Sequence, residues 1–195
     1  MFAFVWMTLG ILLPPARADD DAIADDARRA AIADIDGARA RLAAPDEAAY
    51  GAIQRWLKVS PSTDYYAATI AQAQDTLTKL KGRLLAMSLP HDNQCPHGAG
   101  DLGCAAYGES TVHLTDTWFA SGPLCRRSVL LHEAGHTIGL VHTYIDPSKG
   151  EAGGTANLKP TAQMTREESL KNANSMAQLA QHLATASYDA CSSGK

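Results

Sequence analysis

The chain has 195 residues, of which 46% are hydrophobic, and its formal net charge is −4 at pH 7. This length is enough for one domain with a substantial hydrophobic core. The negative charge argues against nucleic acid as a partner, because binding to a phosphate backbone depends on clustered lysine and arginine.

The N-terminus carries an apolar run over residues 2–13, which is too short to span a bilayer. Two prolines end the run, and Ala16-Arg17-Ala18 is a small-x-small cleavage site. Residues 1–18 are therefore predicted to be a secretory signal peptide, with an uncleaved N-terminal anchor as the alternative. We expect a secreted or periplasmic protein that has no stable membrane association after cleavage.

Helical periodicity dominates the next part of the chain. Residues 19–44 are weakly amphipathic and are predicted to form an N-terminal helical arm or a pro-segment. Residues 46–59 and 65–87 have apolar side chains at helical spacing and are predicted to be two further helices. Residues 111–115 alternate in polarity and are predicted to be a strand, which as an edge strand could pair with an extended peptide.

A pattern of the form H-E-x-x-H-x-x-G-x-x-H runs from His132 to His142 and is predicted to begin on a helix at about 124–140. His132 and His136 are four residues apart and share a helix face, so both can reach one Zn²⁺ ion. Glu133 falls near the same rim, where a carboxylate can take a proton from a metal-bound water. The glycine of the pattern can adopt a positive φ, and the resulting turn would bring His142 to the metal as a third ligand.

The C-terminal part contains Thr165-x-x-Glu168, a capping box for a last helix over about 166–186. The sequence therefore predicts a mainly α (α+β) single domain. It would contain N-terminal helices, a small antiparallel β-hairpin or sheet, an active-site helix and a C-terminal helix.

The four cysteines are an even number, which in an exported chain favours disulfides. Three connectivities are possible. The expected pairing is Cys95–Cys104, which closes a short Gly-rich loop, and Cys125–Cys191, which joins the metal helix to the C-terminus. A second zinc site built from Cys95, His97 and Cys104 is the alternative.

The metal stretch resembles the metzincin zinc peptidases, whose pattern it fills. That family has a methionine turn under the metal, and Asn174-Ser175-Met176-Ala177 is similar to it but falls inside a predicted helix. A larger part of the chain, residues 50–183, resembles the deuterolysin-like peptidases (aspzincins, including peptidyl-Lys metalloendopeptidases). The similar features, in order, are Tyr50…Trp56-Leu57, Cys95…Cys104-Ala105-Ala106-Tyr107, Val112-His113-Leu114…Trp118-Phe119, H-E-x-x-H, and Asn172-Ala173-Asn174-Ser175-Met176-Ala177.

This resemblance leaves two candidates for the third ligand. In aspzincins the third ligand is an Asp downstream of the second His, which implies Asp146, whereas the spacing after the glycine favours His142. The Gly-Thr and the Tyr that surround this Asp in the family motif are missing here, and Tyr144 precedes Asp146 instead. The residue that does not bind the metal could orient a ligand.

The resemblance implies that residues 45–195 are a zincin-like zinc metallopeptidase domain with one catalytic Zn²⁺. We expect a secreted metalloendopeptidase, acting as a monomer on protein or peptide substrates, in which Glu133 activates the zinc-bound water. Tyr144 could help to stabilise the oxyanion. The alternatives are a catalytically inert zinc-binding interaction protein on the same fold, or an amidase or effector that acts on cell-wall peptides.

Some aspzincins prefer Lys or another basic residue beside the cut. Such a preference needs an acid in the specificity pocket, and the candidates by position are Asp116, Asp146 and Glu151.

Overall fold

The structure is a computed structural model that describes residues 16–96, 101–150, 155–188 and 191. Residues 1–15 of the predicted signal peptide, His97 of the alternative zinc site and the candidate acid Glu151 lie outside this part of the chain.

Within the described residues the chain forms seven α-helices and one antiparallel pair of short strands, so the predicted mainly α (α+β) class is confirmed. The helices are α1 (Ala16–Ala43), α2 (Glu47–Leu57), α3 (Tyr66–Ala86), α4 (Asp116–Ala120), α5 (Pro123–Thr137), α6 (Arg166–Leu170) and α7 (Ala173–Thr185). The strands are β1 (Gly103–Cys104) and β2 (His113–Leu114). Among the described helices, none has both the length and the apolar character needed to cross a bilayer.

Helix α1 forms much of the core, because its buried face is a stripe of small and aliphatic side chains at helical spacing. The buried members of this stripe are Ala24, Ala27, Ala31, Ile35, Ala38 and Leu42. The small residues let α1 approach α7 closely, and a Cβ built on Gly37 would lie only 3.3 Å from Cβ of Ala184. The segment predicted to be an arm or pro-segment is thus packed against α7, α3 and α5.

A buried ion pair links α1 to α5. Nε of Arg127 lies 3.2 Å from Oδ2 of Asp34, and the Asp34 side chain is 5% exposed. Burial raises the pKa of Asp34 to about 6, although the Arg127 charge acts in the opposite direction. The surroundings of Asp34 therefore disfavour the ionised form of its carboxyl group, which is the form expected at neutral pH.

A histidine ties the first turns of α1 to the start of α4. Nδ1 of His91 is 2.9 Å from Oδ2 of Asp20, and its Nε2 is 2.7 Å from Oδ1 of Asp116. The His91 ring also packs on Phe119, with ring centroids 4.2 Å apart. Because carboxylates only accept hydrogen bonds, both contacts are made together when the imidazole carries both protons.

The predicted strand at 111–115 is shorter than expected and is not an edge strand. β2 pairs with β1 on one side, with Cys104 opposite His113. On its other side it is flanked by residues 88–92, since Val112 N donates to Ser88 O and Leu114 N donates to Pro90 O. The prediction of an edge strand is therefore wrong, and β1 is the strand that packs against α5.

The predicted last helix is also divided in two. The capping box is confirmed, because Thr165 and Glu168 bond reciprocally at the start of α6. Asn172 then begins α7 by accepting a hydrogen bond from Ser175 N at 2.9 Å. The break occurs because the Lys171 carbonyl accepts a hydrogen bond from Val141 N instead of continuing the helix. Met176 is fully buried within α7.

Both expected disulfides are present. Cys95 is bonded to Cys104, and Cys125 is bonded to Cys191. The alternative zinc site at Cys95 and Cys104 is therefore wrong, since a sulfur in a disulfide is not available as a thiolate ligand. Two disulfides in a chain of this size indicate an oxidising compartment.

Candidate metal centre

Helix α5 presents the first two histidines on a rigid element. It begins at Pro123, where the missing N–H costs no helical hydrogen bond. Leu130, Leu131 and Ala134 are completely buried and fix the orientation of the helix in the core. His132 and His136 lie on the remaining face, one turn apart, as their spacing predicts.

Three imidazoles converge through their Nε2 atoms. Nε2 of His132 lies 2.9 Å from Nε2 of His136 and 3.1 Å from Nε2 of His142. Nitrogen ligands placed about 2.0–2.1 Å from a tetrahedral zinc ion are about 3.3 Å apart. The observed spacing therefore fits one shared metal ion after a small outward adjustment.

The protonation state of the cluster also suits a metal. Nδ1 of His136 lies 2.9 Å from the Leu140 carbonyl oxygen, which can only accept, so Nδ1 carries the proton and Nε2 keeps its lone pair. Burial is the largest cause that lowers the pKa of His132 to about 3, and the neighbouring charges of His136 and His142 contribute to the same shift. Neutral imidazoles are the form that binds metal ions.

The turn after α5 depends on Gly139. Its φ is +92°, which confirms the predicted exit from the helix with positive φ. The Gly135 carbonyl accepts from Leu140 N at 2.9 Å, so the chain folds back after the end of α5 at Thr137. A Cβ on Gly139 would lie 3.0 Å from Cε2 of Tyr107, which covers the turn.

The segment that carries His142 is attached to the start of α7. Val141 N donates to Lys171 O at 2.9 Å, and Ala173 N donates to Val141 O at 3.2 Å. Nδ2 of Asn172 also donates to Oγ1 of Thr143 at 3.2 Å. The third histidine is thus positioned by two helices, α5 before it and α7 beside it.

The structure brings His142, and not Asp146, to the two helical histidines. Among the described residues, the group of possible metal ligands that lie within 4.8 Å of one another consists of His132, His136 and His142. The Asp146 carboxylate instead accepts hydrogen bonds from Oγ and N of Ser148, at 2.6 and 3.1 Å. These hydrogen bonds lower the pKa of Asp146. They also stabilise the turn that contains Asp146 and Ser148.

Tyr144 lies near the cluster but on its rim. Its ring is perpendicular to that of His142, with centroids 6.3 Å apart. It lines an open cleft of about 800 Å³ together with His136 and His142. Tyr144 therefore borders the cleft that adjoins His136 and His142.

Glu133 lies directly beside the histidines. Oε1 of Glu133 is 3.9 Å from Nε2 of His132, and the residue is only 8% exposed. The pKa of Glu133 is raised to about 8, mainly by burial and to a smaller extent by the charge of Asp101, while a hydrogen bond from the Ala105 backbone acts in the opposite direction. A nearby divalent cation would favour the ionised carboxylate and so act against the effect of burial.

Two clefts meet at the cluster, and residues 101–107 run along both of them. The larger cleft, on the side of His136 and His142, has an apolar rim that includes Tyr107 and Val141. The second, of about 520 Å³, lies beside His132 and Glu133 and is lined in part by Trp56, Asp101, Asn174, Gln178 and Tyr188.

These clefts contain residues that the motifs did not identify. Two of the acids predicted to face a basic substrate bond elsewhere, Asp116 to His91 and Asp146 to Ser148. Asp101, which the sequence did not suggest for this role, lines the second cleft. Asn174 lines the second cleft beside His132, and Tyr107 lines the larger cleft beside the turn at Gly139. Asn174 falls in the segment that resembles the closing aspzincin helix, which is the one sequence signal that could have singled it out. The local sequence around Asp101 and Tyr107 carries no comparable signal.

Comparison with known proteins adds no relative. The chain matches no protein-family model, and no curated protein matches it. The resemblance to metzincins and aspzincins therefore stays a prediction from motifs.

Proposed function

We propose that this protein is a secreted zinc-dependent metalloendopeptidase. The observation that carries the proposal is the convergence of three imidazole Nε2 atoms beside the buried Glu133 carboxylate, at the junction of two open clefts. A purely structural zinc site has closed coordination and needs no adjacent carboxylate. An open three-histidine site with such a group is typical of hydrolytic chemistry.

His132, His136 and His142 would hold the metal, since their neutral imidazoles and spacing fit a zinc ion. When bound there, zinc supplies a Lewis acid that polarises a carbonyl and makes water more acidic. Asp146 is 42% exposed and occupied in its own turn. We therefore assign the third ligand to His142.

Glu133 would move the proton. In the proposed reaction its carboxylate accepts a proton from the attacking water and then donates it to the amine that leaves. Its buried position raises the proton affinity of the carboxylate, which suits a group that must hold the proton between these two steps. Tyr144, at the rim of the larger cleft, would donate a hydrogen bond to the developing oxyanion.

The substrate would lie in extended form along residues 101–107. β1 pairs with β2 on one side, and its Gly103 packs on the metal helix, where an added Cβ would lie 3.3 Å from Val129 and 3.7 Å from Glu133. A peptide added along this segment would cross the front of the histidine cluster by pairing with backbone groups. The proposal includes a preference for Lys or another basic residue beside the cleaved bond. Asp101, which lines the second cleft, would attract the basic side chain.

The test is cleavage of a complex peptide mixture by the purified protein loaded with zinc, with and without a chelator. Glu133→Gln is expected to bind zinc normally and to lose cleavage, whereas the exposed Glu47→Gln on α2 is the matched control and should cleave normally. Normal cleavage by Glu133→Gln would contradict the proposed role. The residues at the cuts report whether basic side chains are preferred.

The same preparation tests the third ligand. His142→Ala is expected to lose zinc affinity and cleavage together, while Asp146→Asn should keep both. One zinc ion per chain without cleavage of any peptide would instead support the zinc-binding interaction protein. Cleavage of cell-wall peptides alone would support the amidase.

A further inference from the structure

One imidazole nitrogen of the histidine cluster is buried without a hydrogen-bond partner among the described residues. Nδ1 of His132 is buried and makes no hydrogen bond of regular geometry with the described residues. Nδ1 of His136, by contrast, donates to the Leu140 carbonyl at 2.9 Å. When Nε2 of His132 binds a metal ion, Nδ1 must carry the ring proton, and a buried N–H requires an acceptor.

The side chain in a position to supply that acceptor is Asn174. It lies beside the His132 imidazole, and it lines the second cleft together with His132 and Glu133. Its amide carries both an acceptor oxygen and a donor nitrogen.

The backbone around Asn174 is held firmly against the metal helix. Asn172 caps α7 by accepting from Ser175 N at 2.9 Å. Ala173 packs on α5 so closely that a Cβ on Gly135 would lie 3.3 Å from Cβ of Ala173. Asn174 follows directly on α7, so its distance from His132 is determined by this helix contact.

We propose that Asn174 is a positioning residue for the metal centre, which accepts a hydrogen bond from Nδ1–H of His132 through its amide oxygen. This contact holds His132 in the tautomer whose Nε2 lone pair points at the cluster, and it prevents rotation of the ring. Hydrogen bonds to the second nitrogen of a ligand histidine orient the ring and strengthen metal binding. The inference rests on the proposed metal site, but it concerns affinity and not turnover.

The test measures zinc affinity by competition with a chromophoric chelator, for the full chain and three variants. Asn174→Leu keeps the approximate volume and removes the acceptor, and it should weaken zinc binding about 10-fold to 100-fold. Asn174→Asp keeps an acceptor and should bind zinc as tightly as the wild type or more tightly. Gln178→Leu, one turn further along α7 in the same cleft, is the matched control and should bind zinc within twofold of wild type.

Thermal unfolding of the metal-free variants separates positioning from a general structural role. We expect the metal-free Asn174→Leu protein to keep a wild-type Tm while its zinc affinity falls. Unchanged zinc affinity in Asn174→Leu, or an equal loss in Asn174→Asp, would overturn the inference. Failure of the wild type to bind zinc would overturn both proposals, whereas tight zinc binding without cleavage would overturn the peptidase alone.

Discussion

Replacement of Gly139 by alanine is expected to lower both stability and zinc affinity. Gly139 has φ +92°, and an L-residue in the left-handed region costs about 1–2 kcal/mol. The new Cβ would also lie 3.0 Å from Cε2 of Tyr107. Since Tyr107 is 79% exposed, its ring can move aside at little cost, and the backbone strain should dominate.

For a domain of this size, a loss of about 1–2 kcal/mol lowers Tm by roughly 2–8 °C. Gly108→Ala is the matched control, because its φ is +80° and an added Cβ would meet no other described atom within 4 Å. Both variants should lose similar stability in thermal unfolding of the metal-free protein. Tyr107→Ala added to Gly139→Ala should restore little of it.

Zinc affinity distinguishes the two glycines. The turn at Gly139 delivers His142 to the cluster, so chelator competition should show about a 10-fold or larger loss in Gly139→Ala, by analogy with other changes that misorient a ligand. Gly108→Ala should remain close to the wild type. Equal zinc affinity in the two variants would refute the argument that this turn positions the third ligand.

Three further predictions concern the free energy of unfolding, measured in urea from pH 4 to pH 8. Burial alone would lower the pKa of His91, but its hydrogen bonds to two carboxylates raise it overall. Its stabilising contribution is therefore present below about pH 6.5 and is lost as pH rises through the folded-state pKa, and His91→Gln should abolish this loss. Burial raises the pKa of Asp34 to about 6, so stability should fall by on the order of 3 kcal/mol as pH rises from about 4 to 6, and Asp34→Asn should flatten this slope. Gly82 is an exposed residue inside α3, and an added Cβ would have no described atom within 4 Å. Gly82→Ala should therefore raise the free energy of unfolding by about 1 kcal/mol at every pH. A decrease would contradict the reasoning that this position has room for a Cβ.

Much of the centre could be predicted because its geometry is local. The four-residue spacing of His132 and His136 places both on one helix face whatever the rest of the fold does. The positive φ at Gly139 follows from the same pattern, and the structure confirms it. Both disulfides were also predicted correctly. For Cys95 and Cys104 the reason is local, because the entropic cost of closing a short loop between them is small.

Elements whose ends depend on distant partners were predicted less well. A continuous last helix was the natural prediction from apolar periodicity, yet it is broken at Asn172 by backbone bonds to Val141. The strand at 111–115 was expected at an edge, but residues 88–92 cover its free side. In both cases the hydrogen-bond partner that changes the predicted element lies far away in the sequence, so the local sequence pattern cannot predict it.

The sequence by itself determined the helical spacing of two histidines, the neighbouring glutamate and the exit turn, because these follow from short-range backbone geometry. Tertiary structure decided the rest. Only the packing of α7 against α5 brings Asn174 to His132 and attaches the His142 segment to the start of α7. Only the long-range arrangement of residues 101–107 places Asp101 and Tyr107 in the clefts. Such contacts join residues 30 or more positions apart in the sequence, and their formation depends on how the whole core packs.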